Sequence, residues 1–207
     1  MKVDFKKEMK ELYTAPVETP KVINAPALKY LAIDGHGDPN SNPEYQSAVE
    51  ALYSLSYTIK FRLKKGGLDY VVAPLEGLWW TDQMKDFSIE NKSIWNWTMM
   101  IMQPSQLNEE TFAAVGEELR KKKSIPQLAN VRLCSYEDGL AAQVMHLGPY
   151  SAEGPTVEKL HHFIAENGYE LHGKHREIYL SDPNRTAPEK MKTIIRQIGR
   201  ASCGARG

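Results

Sequence analysis

The sequence predicts an α+β fold: two copies of a strand-helix-strand-strand module, an antiparallel sheet with helices on one face, and a cleft between the pseudo-twofold copies. Three observations carry this. One order of patterned segments occurs twice, over about 28–102 and 140–198. Neighbouring strands are joined by short turns rather than helical crossovers. Each copy also holds one helix with a continuous apolar face.

Residues 1–14 carry Phe5, Met9 and Leu12 at helical spacing and read as a short helix against the body. Pro16, Pro20 and Pro26 then enforce an extended arm. In the first copy, residues 29–34 (KYLAID) read as a strand. The turn GHGDPNSNP follows, and its Asn42-Pro43 offers an N-cap with proline at the first helical position. Over residues 43–65, Ala48, Val49, Leu52, Leu55, Ile59 and Leu63 fall on one helical face, and Gly66-Gly67 stop the helix. Tyr53 and Tyr57, one turn apart, read as packing along the sheet or as ligand contacts. Residues 70–80 (YVVAPLEGLWW) and 97–102 (WTMMIM) complete the copy as strands.

Between the copies, Asn108 caps a helix with Phe112, Val115 and Leu119 inward, and Pro126 ends the region. A strand over 130–136 then turns tightly at Glu137-Asp138-Gly139 into the second copy. That copy reads as a strand over 141–147, a helix over 155–167 and strands over 169–180 and 191–198. Its helix buries Val157, Leu160, Phe163 and Ile164 and ends at Asn167-Gly168. The end, IGRASCGARG, is small, polar and unpatterned. Residues 199–207 therefore read as a disordered terminus or a remnant of cloning, leaving 1–198 as a single domain.

The 26 basic and 26 acidic residues cancel, so no net field draws this chain to nucleic acid or to an anionic membrane. The basic run Arg120–Lys123 closes a helix that opens with Glu109 and Glu110, which complements the helix dipole. Cys134 and Cys203 suggest no disulfide framework. With no apolar stretch of membrane-spanning length and no secretory leader, the expected location is cytoplasmic. The six histidines lack metal-ligand spacing: His161 and His162 point apart on a helix, and His172 and His175 face opposite sides of an extended segment. Neither a metal nor a cofactor is expected, and no phosphate loop, nucleophile elbow or Cys/His dyad is evident.

Candidate chemistry lies on two strands. Alternation sends Glu76, Leu78 and Trp80 to one face of the first, and Leu75, Gly77 and Trp79 to the other, unless a β-bulge at Gly77 changes the direction of the tryptophans. On the second, His175, Glu177 and Tyr179 share a face, with Arg176, Ile178 and Leu180 opposite. If Ile178 and Leu180 meet the helices, Glu177 and Tyr179 look into the concave side. The competing reading pairs Glu177 with Arg176 or a lysine on a solvated sheet. The four tryptophans, Trp79, Trp80, Trp95 and Trp97, fall within 19 residues, and Trp95, Trp97 and Met99 share a strand face. In MHLGPYS, His146 and Tyr150 flank a Gly-Pro turn that holds Tyr150 over the groove mouth, or makes it a structural tyrosine corner. The expected binding set is Glu76, Trp80, Trp97, His146, Tyr150, Glu177 and Tyr179. A carboxylate ringed by aromatic groups suits a planar hydrophobic molecule, cationic ones included.

MHLGPYS, the helix after it and HREIYLSDPNRTAPEKMKT resemble the gyrase-inhibitor-like (GyrI-like) small-molecule-binding family. FKKEMKELY, AIDGHGDPN, AVEALYSLSYTIKF and PLEGLWW resemble its stand-alone branch, so the likeness spans about residues 1–197. The resemblance implies a ligand cleft between the copies. It also implies kinship with effector-binding domains of multidrug-responsive regulators, where a buried glutamate meets lipophilic cations. Only about 25 residues precede the first strand, too few for the helix-turn-helix domain those regulators carry. Members similar to the stand-alone branch are associated with hydrolytic opening of the cyclopropane in DNA-alkylating natural products. Glu177 matches the family glutamate that would orient or deprotonate water, with a neighbouring tyrosine or tryptophan, Tyr179 among them, holding the substrate.

Two function classes follow: a binder for xenobiotic sequestration, and a detoxifying hydrolase in which Glu177 and Tyr179 are catalytic. One glutamate can serve a cation as counter-charge or a water as base, so the sequence leaves both open. Protein binding, through inhibition of a topoisomerase, would need an exposed acidic or apolar surface that the balanced composition does not advertise. The sequence leaves oligomeric state undetermined.

Overall fold

A computed structural model describes residues 2–82 and 91–201; Cys203 and the last six residues of the tail lie outside this range. The chain divides into two compact units. The first holds the residues up to Met9 and Ala27–Tyr136, and the second holds Lys10–Pro26 and the residues from Glu137 on.

In the first unit, strands β2 (Leu28–His36), β3 (Leu75–Trp80), β4 (Asn96–Gln103) and β5 (Arg132–Tyr136) run antiparallel in the order β3-β4-β2-β5. Helix α3 (Pro43–Lys65) starts where expected. The Asn42 side chain accepts from Glu44 N at 2.8 Å, Pro43 follows, and Gly66 ends the helix. Its buried residues are Ala48, Ala51, Leu52, Leu55, Ser56 and Ile59. Two contacts show which sheet face it covers. Gln103 Nε2 donates to Ser56 Oγ at 3.2 Å, and the Tyr45 ring stands edge-on to Trp97 at 5.3 Å. Alternation therefore places Trp97, Met99, Ile101 and Gln103 beneath α3. Helix α4 (Glu109–Lys122) is capped by Asn108, whose side chain accepts from Thr111 N at 2.8 Å.

The expected strand over 70–80 forms only from Leu75, because Pro74 has no N–H to give a ladder. Tyr70 instead bridges Val3. Leu75–Trp80 then pair residue for residue with Ile101–Asn96, so Gly77 carries no bulge.

In the second unit, β1 (Lys21–Ala25), β6 (Gly139–Leu147), β7 (Tyr169–Tyr179) and β8 (Lys192–Ala201) run antiparallel in the order β1-β6-β8-β7. The arm read as merely extended thus contains an edge strand. Pro20 and Pro26 bracket it, where missing donors cost no ladder bond. The short helix expected before it is two: α1 (Phe5–Glu8) in the first unit and α2 (Lys10–Tyr13) in the second. Strand β8 also outruns its expected end, pairing Gly199 with Leu171 and Ala201 with Tyr169, so the tail does not break at 199. Helix α5 (Gly154–Glu166) buries Leu160 and Ile164 against Ala142, Val144 and Ile195.

The opposite face of this second sheet carries a buried charge network. Asp138 accepts from Arg176 Nη1 and from Arg196 Nη1, each at 2.9 Å. Arg196 also donates to Leu12 O at 2.7 Å and to Gln143 Oε1 at 2.9 Å, and Gln143 Nε2 donates to Glu11 O and Thr14 O. These bonds fasten α2 to the strands.

A glycine turn of the same kind occurs in each unit. Gly37, at φ 95°, donates to Trp95 O at 2.7 Å; Gly148, at φ 128°, donates to Met191 O at 3.0 Å. Each glycine sits just after its unit's first module strand and supplies the left-handed turn into the helix.

Candidate functional site

Directly opposed residues of an antiparallel ladder point to the same face. Glu177 lies opposite Ile195, which lies opposite Val144. Ile195 and Val144 pack against α5, so Glu177 looks toward the helix side of its sheet. This corrects the expectation that Ile178 would meet the helix. Ile178 opposes Ile194 and is buried on the far face. Arg176 shares that far face, committed to Asp138, so it is not the partner of Glu177.

A bulge sets the direction of β7. From His172 to Arg176 the strand advances four residues while β8 advances only two, from Ile198 to Arg196. Gly173, at φ 69°, takes the strained position. His175, at the end of this irregular stretch, and Glu177 and Tyr179 beyond it stand on one side, and both carboxylate oxygens are engaged. Tyr179 donates its hydroxyl to Glu177 Oε2 at 2.7 Å, and His175 Nε2 lies 3.2 Å from Oε1. Glu177 is 8 % exposed and His175 2 %. The Tyr150 ring meets the Tyr179 ring edge-on at 5.5 Å. Above them on α5, His161 has its pKa held below the ordinary histidine value, first by burial and then by the charge of His175.

His146 opposes Thr193, which opposes Tyr179, so all three share the helix side. The His146 ring is occupied at both nitrogens: Nδ1 meets Thr156 Oγ1 at 3.0 Å and Nε2 meets Pro149 O at 3.2 Å. A carbonyl only accepts, so Nε2 carries the proton of its bond to Pro149 O. His146 thereby anchors the Gly148-Pro149 turn that delivers Tyr150. Thr193, a residue the sequence reading passed over, is fully buried, and its hydroxyl has no hydrogen-bond partner among the described residues.

In the first unit the expected residues separate. Trp97 lies under α3 with Trp79 opposite it, whereas Glu76 opposes Met100 and shares the other face with Trp80. Glu76 is buried there. Tyr45 also approaches Trp79, at 6.1 Å, and Trp79 meets Trp95 at 5.4 Å, making an aromatic core. Gly35 opposes Trp97, and a Cβ on Gly35 would stand 2.1 Å from the indole ring. The two carboxylates are not at matching points of the units either. Registering Gly37 on Gly148 puts Gly35 with His146, Trp97 with Thr193 and Trp79 with Tyr179. Gly77 then occupies the place of Glu177.

The structure thus gathers His146, Tyr150, Glu177 and Tyr179 in the second unit, adds His175, His161 and Thr193, and sets Trp97 apart from Glu76 and Trp80. His175 was legible in sequence through its two-residue spacing from Glu177. Among the described residues no cluster of His, Cys, Asp and Glu is arranged to hold a metal, and no helix is long and apolar enough to cross a membrane.

Comparison with known proteins places this geometry in context. The profile of the GyrI-like small molecule binding domain matches residues 18–197. Among solved structures, an uncharacterized conserved protein from Listeria innocua is 41% identical with a TM-score of 0.89, covering 96% of this chain and 100% of its own. A hydrolase from Listeria innocua is 40% identical with a TM-score of 0.87, covering 97% and 100%. The EcmrR C-terminal domain, at 13% identity and a TM-score of 0.56 over 88% and 98%, shares the fold alone. No curated protein sequence matches the chain.

Proposed function

The chain belongs to the GyrI-like small molecule binding family, and on that premise we propose that it binds planar hydrophobic organic cations, with Glu177 as their counter-charge, for xenobiotic sequestration or detoxification. The observation that carries this is a carboxylate, 8 % exposed, held by a tyrosine hydroxyl and an imidazole beside a second tyrosine ring. A negative charge fixed among aromatic groups attracts a flat cation twice, by Coulomb attraction and by contact with the ring faces. Titration with ethidium, a planar cation, followed by dye fluorescence, tests the reading. Saturable binding that a neutral planar analogue matches only weakly supports it; equal affinity for the two overturns it.

A second reading is favoured by one specific observation: structures about 40% identical over their whole length are described as hydrolases. In this reading Glu177 takes a proton from water, the hydroxide oxygen bonds to a cyclopropane carbon of a DNA-alkylating natural product, and the strained C–C bond breaks. Its electron pair moves into the conjugated carbonyl, which is protonated from the tyrosine side of the site. Tyr179 is suited to that role because its hydroxyl already lies 2.7 Å from the base, through which its proton can be replaced. Product analysis of a cyclopropyl dienone, with and without protein, tests it. Equal rates of ring opening eliminate the hydrolase.

A further inference from the structure

We propose that His175 is the positioning residue of the Glu177 site, fixing the plane and charge of the carboxylate without touching the ligand; this rests on the reading of Glu177 as the ligand-facing group. The terminal torsion of a glutamate is broad and roughly two-fold, so a carboxylate held at one oxygen can still swing. Tyr179 holds Oε2. His175 Nε2 supplies the second hold, 3.2 Å from Oε1, and with both contacts made the carboxylate plane is determined.

The chemistry at the contact has a definite sense. An ionised carboxylate only accepts, so Nε2 must carry the proton of this bond. His175 is 2 % exposed, too deeply placed to meet a ligand itself. It lies within the irregular stretch of β7 between His172 and Arg176, so the irregularity that turns this strand also aims the imidazole. On the helix side His161 is the titratable neighbour from α5, and Tyr179, Tyr150, Thr193 and His146 are further polar groups on that side. Two of the roughly four acceptor positions of the carboxylate are thereby used, leaving the remaining lone pairs in fixed directions for a cation or a water. Fixing a functional group by a neighbour that does not touch the ligand is how a site keeps its geometry when the ligand is absent.

The test measures ethidium affinity of the full chain in four forms: unchanged, Glu177→Gln, His175→Phe and His175→Gln. Phenylalanine keeps a ring but has no donor; glutamine restores an N–H near the place of Nε2. The expected result is a loss of about tenfold or more for Glu177→Gln, about threefold to tenfold for His175→Phe, and recovery to within about twofold for His175→Gln. Rescue by glutamine is a result that simple packing would not give. If Glu177→Gln weakens binding but His175→Phe does not, the positioning role is overturned while the counter-charge reading stands. If Glu177→Gln binds as before, both fall. Should His175→Phe fail to fold, the nitrogen NMR spectrum of the unchanged protein decides: a proton-bearing Nε2 on His175 that shifts in Glu177→Gln supports the role, and a bare Nε2 overturns it.

Discussion

Tyr179 donates its hydroxyl to Glu177 Oε2 at 2.7 Å from two positions along the same strand. Hydrogen bonds to an ionised acceptor are stronger than neutral ones, so the hydroxyl both stabilises the charge and holds it in place. Tyr179→Phe should weaken ethidium binding by about threefold to tenfold while leaving thermal stability nearly unchanged, because the ring still packs against Tyr150. Paired fluorescence titration and thermal melts check both halves of that statement.

Gly35 has no room for a side chain. A methyl group there would enter the Trp97 indole at 2.1 Å, and that ring is itself pressed by Tyr45. Gly35→Ala should therefore destabilise the protein by about 1–3 kcal/mol or more and alter tryptophan emission. Urea unfolding followed by fluorescence reads both; unchanged stability would mean that Trp97 rotates freely out of the way.

Asp138 neutralises two buried arginines, Arg176 and Arg196. Asp138→Asn keeps the shape and removes the negative charge that both guanidinium groups share. The expected cost is about 3–5 kcal/mol, read as a lowered urea midpoint.

His161 has a pKa depressed by burial, with the charge of His175 adding to it. The folded state thus prefers the neutral ring. The stability this supplies is fully present above the ordinary histidine value of 6.5 and is lost as pH falls through the lower folded value. His161→Gln should flatten the acid side of the stability profile, which urea unfolding at about pH 5 and about pH 7.5 measures. A profile that keeps its full slope in the variant contradicts this.

The fold was legible where local chemistry and periodicity agree. Asn42-Pro43 and Gly66 bound α3 as read, and Asn108 caps α4 as read. Strand β1 was missed because five residues between Pro20 and Pro26 carry too little alternation to outweigh the prolines. The common side of His175, Glu177 and Tyr179 followed from a period of two, although His175 lies at the end of the irregular stretch. Which face meets the helix did not follow: Ile178 and Ile195 are both buried apolar residues, and only the register shows that Ile195 is the one under α5. Glu76 and Glu177 also look equivalent in sequence, each a carboxylate near the end of a strand, and only the register separates them. Their separation of 101 is odd, whereas matching positions such as Gly77 and Glu177 differ by 100, and a one-residue offset reverses the face of a strand residue.

A superposition of residues 28–102 on 140–198 should accordingly align Gly77 with Glu177 and Gly37 with Gly148. Alignment of Glu76 with Glu177 would contradict the register argument.

The most direct test of the central claim is the affinity of Glu177→Gln for ethidium beside its affinity for the neutral planar analogue phenanthridine. Removing a desolvated counter-charge should cost the cation about 2 kcal/mol or more and leave the neutral ring almost unaffected. Equal changes for the two, or none for ethidium, would contradict the assignment of Glu177 as the charge that the ligand meets.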